Sequence, residues 1–578
     1  MSFHRTATGL ALGALLVTPA LTHAQAAAVR PAAPRSVVEM PLKHTGKPTT
    51  AAITPADLMS RVYIYADDSL MGRQVGTEYN LKATAYIERE VRRLGLVPAG
   101  EGGGYFQDIP LYANYNDTTA KLAIGTETLA YAKDFLPIPR TGRTITFDGA
   151  QVIYAGTTTD STTWPTADAA AGKVIVLTVP ATASPVRGVL HSDKSRFARA
   201  AAILVASLDR IPPEVYPQIA STTALRADTI PDHSPTSILV TPRVVSLLFG
   251  PAESLKPGAA GKPIAGKATL HEDRAPGRNV IAILPGSDPA LKGQYVAIGA
   301  HNDHVGFNNE PVDHDSVKAF MMVARPQGAD SPVDSRLTDI QSARIRSILD
   351  SLRKLRPARI DSIYNGADDD ASGSMSVLEI AEALVNAPVK PKRSIIFVWH
   401  TGEEAGLYGS EYFTDNPTVP RDSIVAQLNM DMVGRGGAND VTGSSKEGGE
   451  LKGGQGYVQL VGSRRLSTEL GDLLERVNTA GAHGFTFDYR WDADGHPANS
   501  YCRSDHYMYA RYGIPIAFLS TGDQRDYHQL TDEVEYIDFG KMARVAGFIG
   551  EVARQVADLD HRVVVDKPKP DPQGVCRQ

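Results

Sequence analysis

The chain is expected to fold as an α/β protein. Its core would be a mixed, mainly parallel sheet flanked by helices, with a β-rich domain inserted into it. Three observations carry this expectation. From residue 277 onward, apolar runs at 280–284, 295–298, 395–399, 425–428 and 515–519 alternate with helical stretches, the pattern of parallel strands joined by helical crossovers. Between about 112 and 274, short β-branched runs at 151–154, 173–179, 202–206 and 237–240 alternate with turns, which reads as a small β-rich domain. The length of 578 residues exceeds one ordinary core, so two or three domains are expected.

Composition narrows the class. Hydrophobic residues make up 42% and charged residues 21% of the chain, enough apolar matter for a packed interior. The net charge of −6 gives no support to nucleic-acid binding or to attachment at an anionic membrane.

In chain order, residues 1–26 read as a secretory signal. His4 and Arg5 precede an apolar run over 10–21, and small residues follow at Ala24 and Ala26. The run is short for a membrane span, and no Cys sits near the cleavage site, so a periplasmic or secreted protein without a membrane anchor is expected. Residues 27–54, rich in Ala, Pro and Thr, read as a flexible leader. Residues 55–111 form an N-terminal helical part, with 56–94 helical, apolar positions at helical spacing over 79–94, and Gly95 as the stop. Within the β-rich domain at 112–274 a helix is expected at 195–201, and no catalytic constellation is visible. That domain either shapes a site elsewhere or is a stabilising appendage. The main α/β domain covers 277–556. A charged insertion at 308–363 interrupts it, with a helix at 339–355. This insertion is either a lid beside the active face or an inert excursion. A helix is expected at 374–384, and 557–578 form a C-terminal tail. Cys502 and Cys576 are the two cysteines. They exclude a thiolate-only metal site, and in an oxidising compartment they could pair.

The chemistry concentrates at strand ends. The run Gly366-Ala367-Asp368-Asp369-Asp370-Ala371-Ser372-Gly373 places three like charges together before a helix, which calls for positive compensation from a helix N-terminus or a divalent metal. The strand at 295 runs into His301-Asn302-Asp303-His304, and that at 395 into Glu403-Glu404. The strand at 425 ends at Asp431, and that at 515 is followed by Asp526-Tyr527-His528. Open α/β sheets bind ligands at such carboxyl ends. Two imidazoles and three carboxylates can hold two zinc ions, with one carboxylate shared. Competing signatures are missing: there is no His-Glu-x-x-His, no Gly-x-Ser-x-Gly and no phosphate loop. Adjacent Ser504, Asp505 and His506 cannot normally orient toward one another as a triad.

These segments resemble peptidase family M28, the zinc-dependent aminopeptidases with co-catalytic zinc. The resemblance rests on Gly299 to His304, Gly366 to Gly373, Glu403 to Ser410, Asn429-Met430-Asp431, Ser504-Asp505-His506 and Tyr527-His528 through Asp532, all in order. Leu70-Met71-Gly72-Arg73 and Leu94 to Gly100 resemble the N-terminal stretch of secreted members. The β-rich middle resembles a protease-associated (PA) insert by position. The resemblance implies the zinc-exopeptidase fold and two zinc ions per chain. His301 and Asp431 would bind one ion, Glu404 and His528 the other, and Asp369 would bridge. It implies a cis Asp369–Asp370 peptide, Glu403 as general base, Asp303 behind His301, and Tyr527 near the tetrahedral intermediate. His304 and His400 match no ligand position, so second-shell or packing roles are expected. The substrates implied are peptides or proteins with free N-termini. Alternatives are a carboxypeptidase of the glutamate carboxypeptidase type, with Arg435 and Arg503 as candidate clamps, a glutaminyl-cyclase-like acyltransferase, and a non-enzymatic receptor ectodomain. The complete ligand set argues against the last two. Oligomeric state and the preferred side chain are left open.

Overall fold

The computed structural model describes residues 49–578 except 140–142, 182, 184–193, 212–215, 226–234, 252–254, 332–336 and 438–439. The expected signal peptide and nearly all of the expected leader lie outside the described residues. The chain divides into two compact units, one comprising residues up to Ile109 together with Pro276–Gln578, the other Pro110–Ala275.

The first unit is built on a nine-stranded sheet. Its strands are β1 (Val97–Pro98), β2 (Phe106–Asp108), β3 (Arg278–Leu284), β4 (Tyr295–His301), β5 (Ser394–His400), β6 (Ile424–Met430), β7 (Tyr457–Val461), β8 (Thr486–Asp488) and β9 (Ile516–Ser520). The order is β1-β3-β5-β4-β6-β9-β7-β8, with β2 also paired to β3. Strands β5, β4, β6 and β9 run parallel. The flanking pairs β3–β5 and β7–β9 are antiparallel. The central strands are buried along their whole length, as expected where helices cover both faces.

The two-residue period of the strands sorts their side chains between two cores. Val280, Ala282, Val296, Ile298, Ile395 and Phe397 join one cluster with Leu58, Val62, Leu378 and Val545 from surrounding helices. Ile281, Ala297, Ile396 and Val398 face the other, with Phe413, Trp491, Tyr501 and Phe518. Helix Ala371–Asn386 is buried on nearly every side, its Ser372, Ser374, Ser376, Glu379 and Glu382 included. Helix Phe539–Asp558 lies against it.

The expected helix over 56–94 is interrupted. Helices Pro55–Tyr65 and Glu78–Arg93 flank a kinked 3₁₀ segment, Asp68–Arg73. Gly72 sits at the kink of that segment: its φ is +68°, and a Cβ there would lie 2.1 Å from the Gly306 carbonyl oxygen, so only glycine fits. The insertion at 308–363 holds a short strand pair, Phe307–Asp313 with Ile360–Ile363, and two helices, His314–Ala324 and Asp339–Leu355. Cys502 and Cys576 form a disulfide with Cα atoms 5.9 Å apart. Among the described residues, no helix is long and apolar enough to cross a membrane.

The second unit is a ten-stranded sheet with its own core, including Phe135, Phe147, Val176, Leu204, Val240 and Leu270. The helix expected at 195–201 is a single turn, Lys194–Phe197. Arg143–Thr157 and Ala260–Ala275 are its two long strands, paired antiparallel. Leu111 and Ala275 are direct partners across the sheet, so the chain enters and leaves this unit side by side.

Candidate metal centre

The parallel strands deliver their last residues to one edge. His301 and His400 are register partners at the ends of β4 and β5, and Asp431 follows β6. The three Asp residues close the gap from the start of helix Ala371–Asn386, where Asp370 is the N-cap and accepts the Gly373 N–H at 2.8 Å.

Asp370 ties three segments. Its Oδ1 also accepts the Met432 N–H at 3.1 Å, and its Oδ2 accepts the His301 N–H at 3.3 Å. Asp368 turns away from the cleft, accepting the Gly434 N–H at 2.7 Å and the Ser372 hydroxyl at 3.2 Å. Asp532 holds the run from outside, accepting the N–H groups of Asp368 and Asp369 at 2.9 and 3.0 Å. Arg73, buried, donates to the carbonyl oxygens of Tyr65, Asn365 and Gly366 at 2.9, 2.6 and 3.0 Å. Fixed on all sides, Asp369 alone of the three points into the site. The Asp369–Asp370 peptide is cis.

Among the described residues, two donor groups converge, and Asp369 is common to both: His304, Asp369, Glu404 and His528 in one, His301, Asp369 and Asp431 in the other. Asp369 Oδ1 lies 3.1 Å from His301 Nε2, and Oδ2 lies 3.2 Å from His528 Nε2. His301 Nε2 is 3.6 Å from Asp431 Oδ1, and His528 Nε2 is 2.8 Å from Glu404 Oε2. All five expected ligand residues are therefore brought together. His301 Nε2, His528 Nε2 and Asp369 Oδ2 are buried without a hydrogen-bond partner. Buried polar atoms are rarely left so. Imidazole nitrogens and carboxylate oxygens converging in this way fit zinc.

The electrostatics point the same way. Burial works to raise Asp369, but His301 and His528 hold it well below the usual carboxylate range. Burial works to lower His528, yet Glu404 and Asp369 lift it to about 10. In a site without a metal, the imidazoles keep protons to balance the carboxylates. Glu403, beside Glu404 and in the cleft with Asp369 and Asp431, is pushed well above its ordinary value by desolvation, as suits a group that must take up a proton.

Asp303 stands behind His301 and holds it through the main chain. The His301 Nδ1–H donates to the Asp303 main-chain carbonyl at 3.1 Å, while the carboxylate, 3.7 Å away, accepts the Glu403 N–H at 3.2 Å. Tyr527 stacks on His528, ring centroids 3.8 Å apart, and its hydroxyl accepts from Arg503 at 3.2 Å. Ser504, Asp505 and His506 part company. The Ser504 hydroxyl donates to Asp431 Oδ2 at 2.7 Å, Asp505 faces His400 at 3.3 Å, and His506 stacks on Phe518. Arg435 is buried in ion pairs with Asp526 and Asp440, leaving Arg503 as the clamp candidate that lines the cleft. His304 lies within the metal-binding group, its Nδ1 2.7 Å from Glu404 Oε1. The insertion also reaches this edge: Lys318 donates to Asp526 at 2.6 Å, and Arg325 donates to the Tyr527 carbonyl at 3.2 Å.

Residues 279–553 match the sequence model of Peptidase family M28. The chain is 30% identical over 201 residues to leucine aminopeptidase 1 of Trichophyton equinum, covering 33% of this chain and 49% of that protein. It is 40% identical over 80 residues to leupeptin-inactivating enzyme 1 of Streptomyces exfoliatus, covering 13% of this chain and 18% of that protein. The chain thus spans about half the length of the curated leucine aminopeptidases it matches. Of solved structures, the aminopeptidase from Aneurinibacillus sp. strain AM-1 aligns with a TM-score of 0.47 at 17% identity, covering 89% of this chain and 97% of that one. The matched segment contains β4 to β9, β3 from its second residue onward, and every residue of the two donor groups.

Proposed function

We propose that this chain is a di-zinc aminopeptidase that removes N-terminal residues from peptides. The observation that carries the reading is Asp369, set between two histidines with one oxygen near each. In this reading His301 and Asp431 would hold one zinc and Glu404 and His528 the other, with Asp369 common to both groups. Bound zinc would supply Lewis acidity and a water that ionises near neutral pH. The Glu403 carboxylate takes the proton of the attacking water and passes it to the leaving amine. Asp303 supports both sides, holding the Glu403 main chain with its carboxylate and the His301 ring with its carbonyl.

In this reading Asp369 and Asp431 of the cleft lining are taken up by metal and Asp523 pairs with Arg503 at 3.5 Å, which leaves Glu403 as the acidic group beside an incoming amino terminus. Met432 and Phe518 in the cleft wall suit an apolar first side chain, in keeping with the leucine aminopeptidases the chain resembles. Tyr527, fixed over His528, is placed to donate to the tetrahedral intermediate. The disulfide and the apolar N-terminal run support residence in a periplasmic or extracellular space. The unit at 110–275 is read as a PA-like insert.

The test uses zinc-loaded protein and one leucine-initiated peptide, free and N-acetylated, followed by mass spectrometry. Stepwise loss from the free N-terminus with the acetylated twin intact is expected. Loss from the C-terminus of both would replace this reading with a carboxypeptidase, and no cleavage of either would refute it. Glu403→Ala is expected to keep its zinc and lose roughly 10²–10⁴-fold in turnover. Asp369→Ala is expected to lose both metals; a zinc content near two per chain in that variant would remove the bridge.

A further inference from the structure

His304 is unexplained by the ligand set. It is buried, sits three residues past His301, and faces the second donor group. We propose that His304 is the anchor of Glu404, and that the second zinc position depends on it. This rests on the two-metal reading above.

Glu404 divides its two oxygens. Oε2 lies 2.8 Å from His528 Nε2, on the side where a cation would sit, and Oε1 lies 2.7 Å from His304 Nδ1. In the two-metal reading Glu404 binds a cation through Oε2 as a carboxylate, which can only accept, and its Oε1 lies at hydrogen-bond distance from His304. The proton of this bond therefore sits on His304 Nδ1, which leaves that nitrogen with no lone pair for a metal. His304 is a donor to Glu404 rather than a ligand.

The other terminal carboxylate repeats the design. Asp431 gives Oδ1 to the side of His301, at 3.6 Å, and Oδ2 to the Ser504 hydroxyl, at 2.7 Å. Each metal position thus has a carboxylate with one oxygen inward and one held from behind, and such outer partners fix ligand orientation. The fold makes room for the imidazole. A Cβ on Gly366 would lie 2.5 Å from His304 Cδ2 and Cγ, so the ring rests directly against the backbone that leads into the three Asp residues. Its approach to Glu404 is set from a strand end and a helix start at once. His304 is accordingly a positioning residue.

The experiment measures zinc, not turnover. Metal-free wild type, His304→Ala, His304→Asn and Ser504→Ala are titrated with zinc against a chelator of known affinity. Zinc per chain is counted by elemental mass spectrometry, and Co²⁺-substituted samples report coordination by their d–d spectra. In His304→Ala one of two zinc ions is expected to weaken about 10–100-fold while the other is unchanged. Ser504→Ala is expected to weaken the opposite position, seen as a different change in the Co²⁺ spectrum. The Asn amide can stand where Nδ1–H stands, so His304→Asn is expected to recover affinity to within a few-fold of wild type. Two zinc ions bound with wild-type affinity in His304→Ala would overturn the proposal. So would His304→Asn failing as fully as His304→Ala while both metal-free variants melt as wild type does, since that pattern belongs to a direct ligand. Should wild type hold a single zinc, the two-metal reading falls, and the anchor stands or falls on whether that ion weakens in His304→Ala and recovers in His304→Asn.

Discussion

At the scale of single residues, the metal-free site stores protons where a metal would go. With His528 held to about 10, a cation entering below that pH must displace its proton. Zinc affinity is therefore expected to rise with pH, by up to about tenfold per unit, until about pH 10. The stability sign is opposite. A histidine raised above its unfolded value stabilises the metal-free protein fully below about pH 6.5, and this contribution is lost as pH rises through about 10. Calorimetry at pH 8 in buffers of different ionisation enthalpy should show protons released on zinc binding; none released would contradict the shift. The residues carrying these charges are legible in the sequence because each closes a strand or opens a helix in a recognisable string. Their supports are not. His304 meets Glu404 across 100 positions and Ser504 meets Asp431 across 73. Asp532 clamps the amides of Asp368 and Asp369 from over 160 positions away. A hydrogen bond between distant positions has no local pattern to betray it.

At the scale of elements, the first helix is fastened by a buried ion cluster. Arg61 Nε donates to Glu379 at 2.9 Å, NH1 to Glu90 at 3.2 Å and NH2 to Glu382 at 2.5 Å, so one guanidinium joins Pro55–Tyr65, Glu78–Arg93 and Ala371–Asn386. Arg61→Ala would strand Glu379, whose side chain is 1% exposed. The expected loss is roughly 3–5 kcal/mol, read as a lower denaturation midpoint; a shift under about 1 kcal/mol would show that the cluster contributes little. Periodicity places helices Glu78–Arg93 and Ala371–Asn386 to within about three residues, and apolar runs mark β3, β4, β5, β6 and β9, whereas β1, β2, β7 and β8 are not among the expected strands. It also misses the break between Tyr65 and Glu78, within which Gly72 lies against two backbone carbonyls too close for any Cβ, a tertiary contact invisible in a helical wheel. The insertion, readable only as charged and partly helical, braces the loop of Tyr527 and His528 through Lys318 and Arg325. A brace and a lid share the same composition, and contacts alone distinguish them.

At the scale of the whole molecule, the shift in residue character near 112 and 274 marks a division in space, between Ile109 and Pro110 and between Ala275 and Pro276. The two strands at those joints are paired through Leu111 and Ala275, and the unit keeps a core of its own. Residues 110–275 expressed alone are therefore expected to unfold in one cooperative transition by circular dichroism; a sloping, featureless melt would show that the unit depends on the rest of the chain. The sequence shows the charges of the cleft but not what holds its far wall, because a pairing between Cys502 and Cys576 is a fact of geometry rather than of spacing. That bond has a practical meaning. Cys502 adjoins Arg503 and Ser504, so the cleft wall and the hold on Asp431 are stapled to a segment 74 positions downstream. A copy made among cytosolic thiols, where glutathione keeps cysteines reduced, would fold its sheet and gather its ligands with that staple open. Two preparations of identical sequence would then differ in how firmly they grip one metal, and the history of the sample, not its sequence, would decide which of them is assayed.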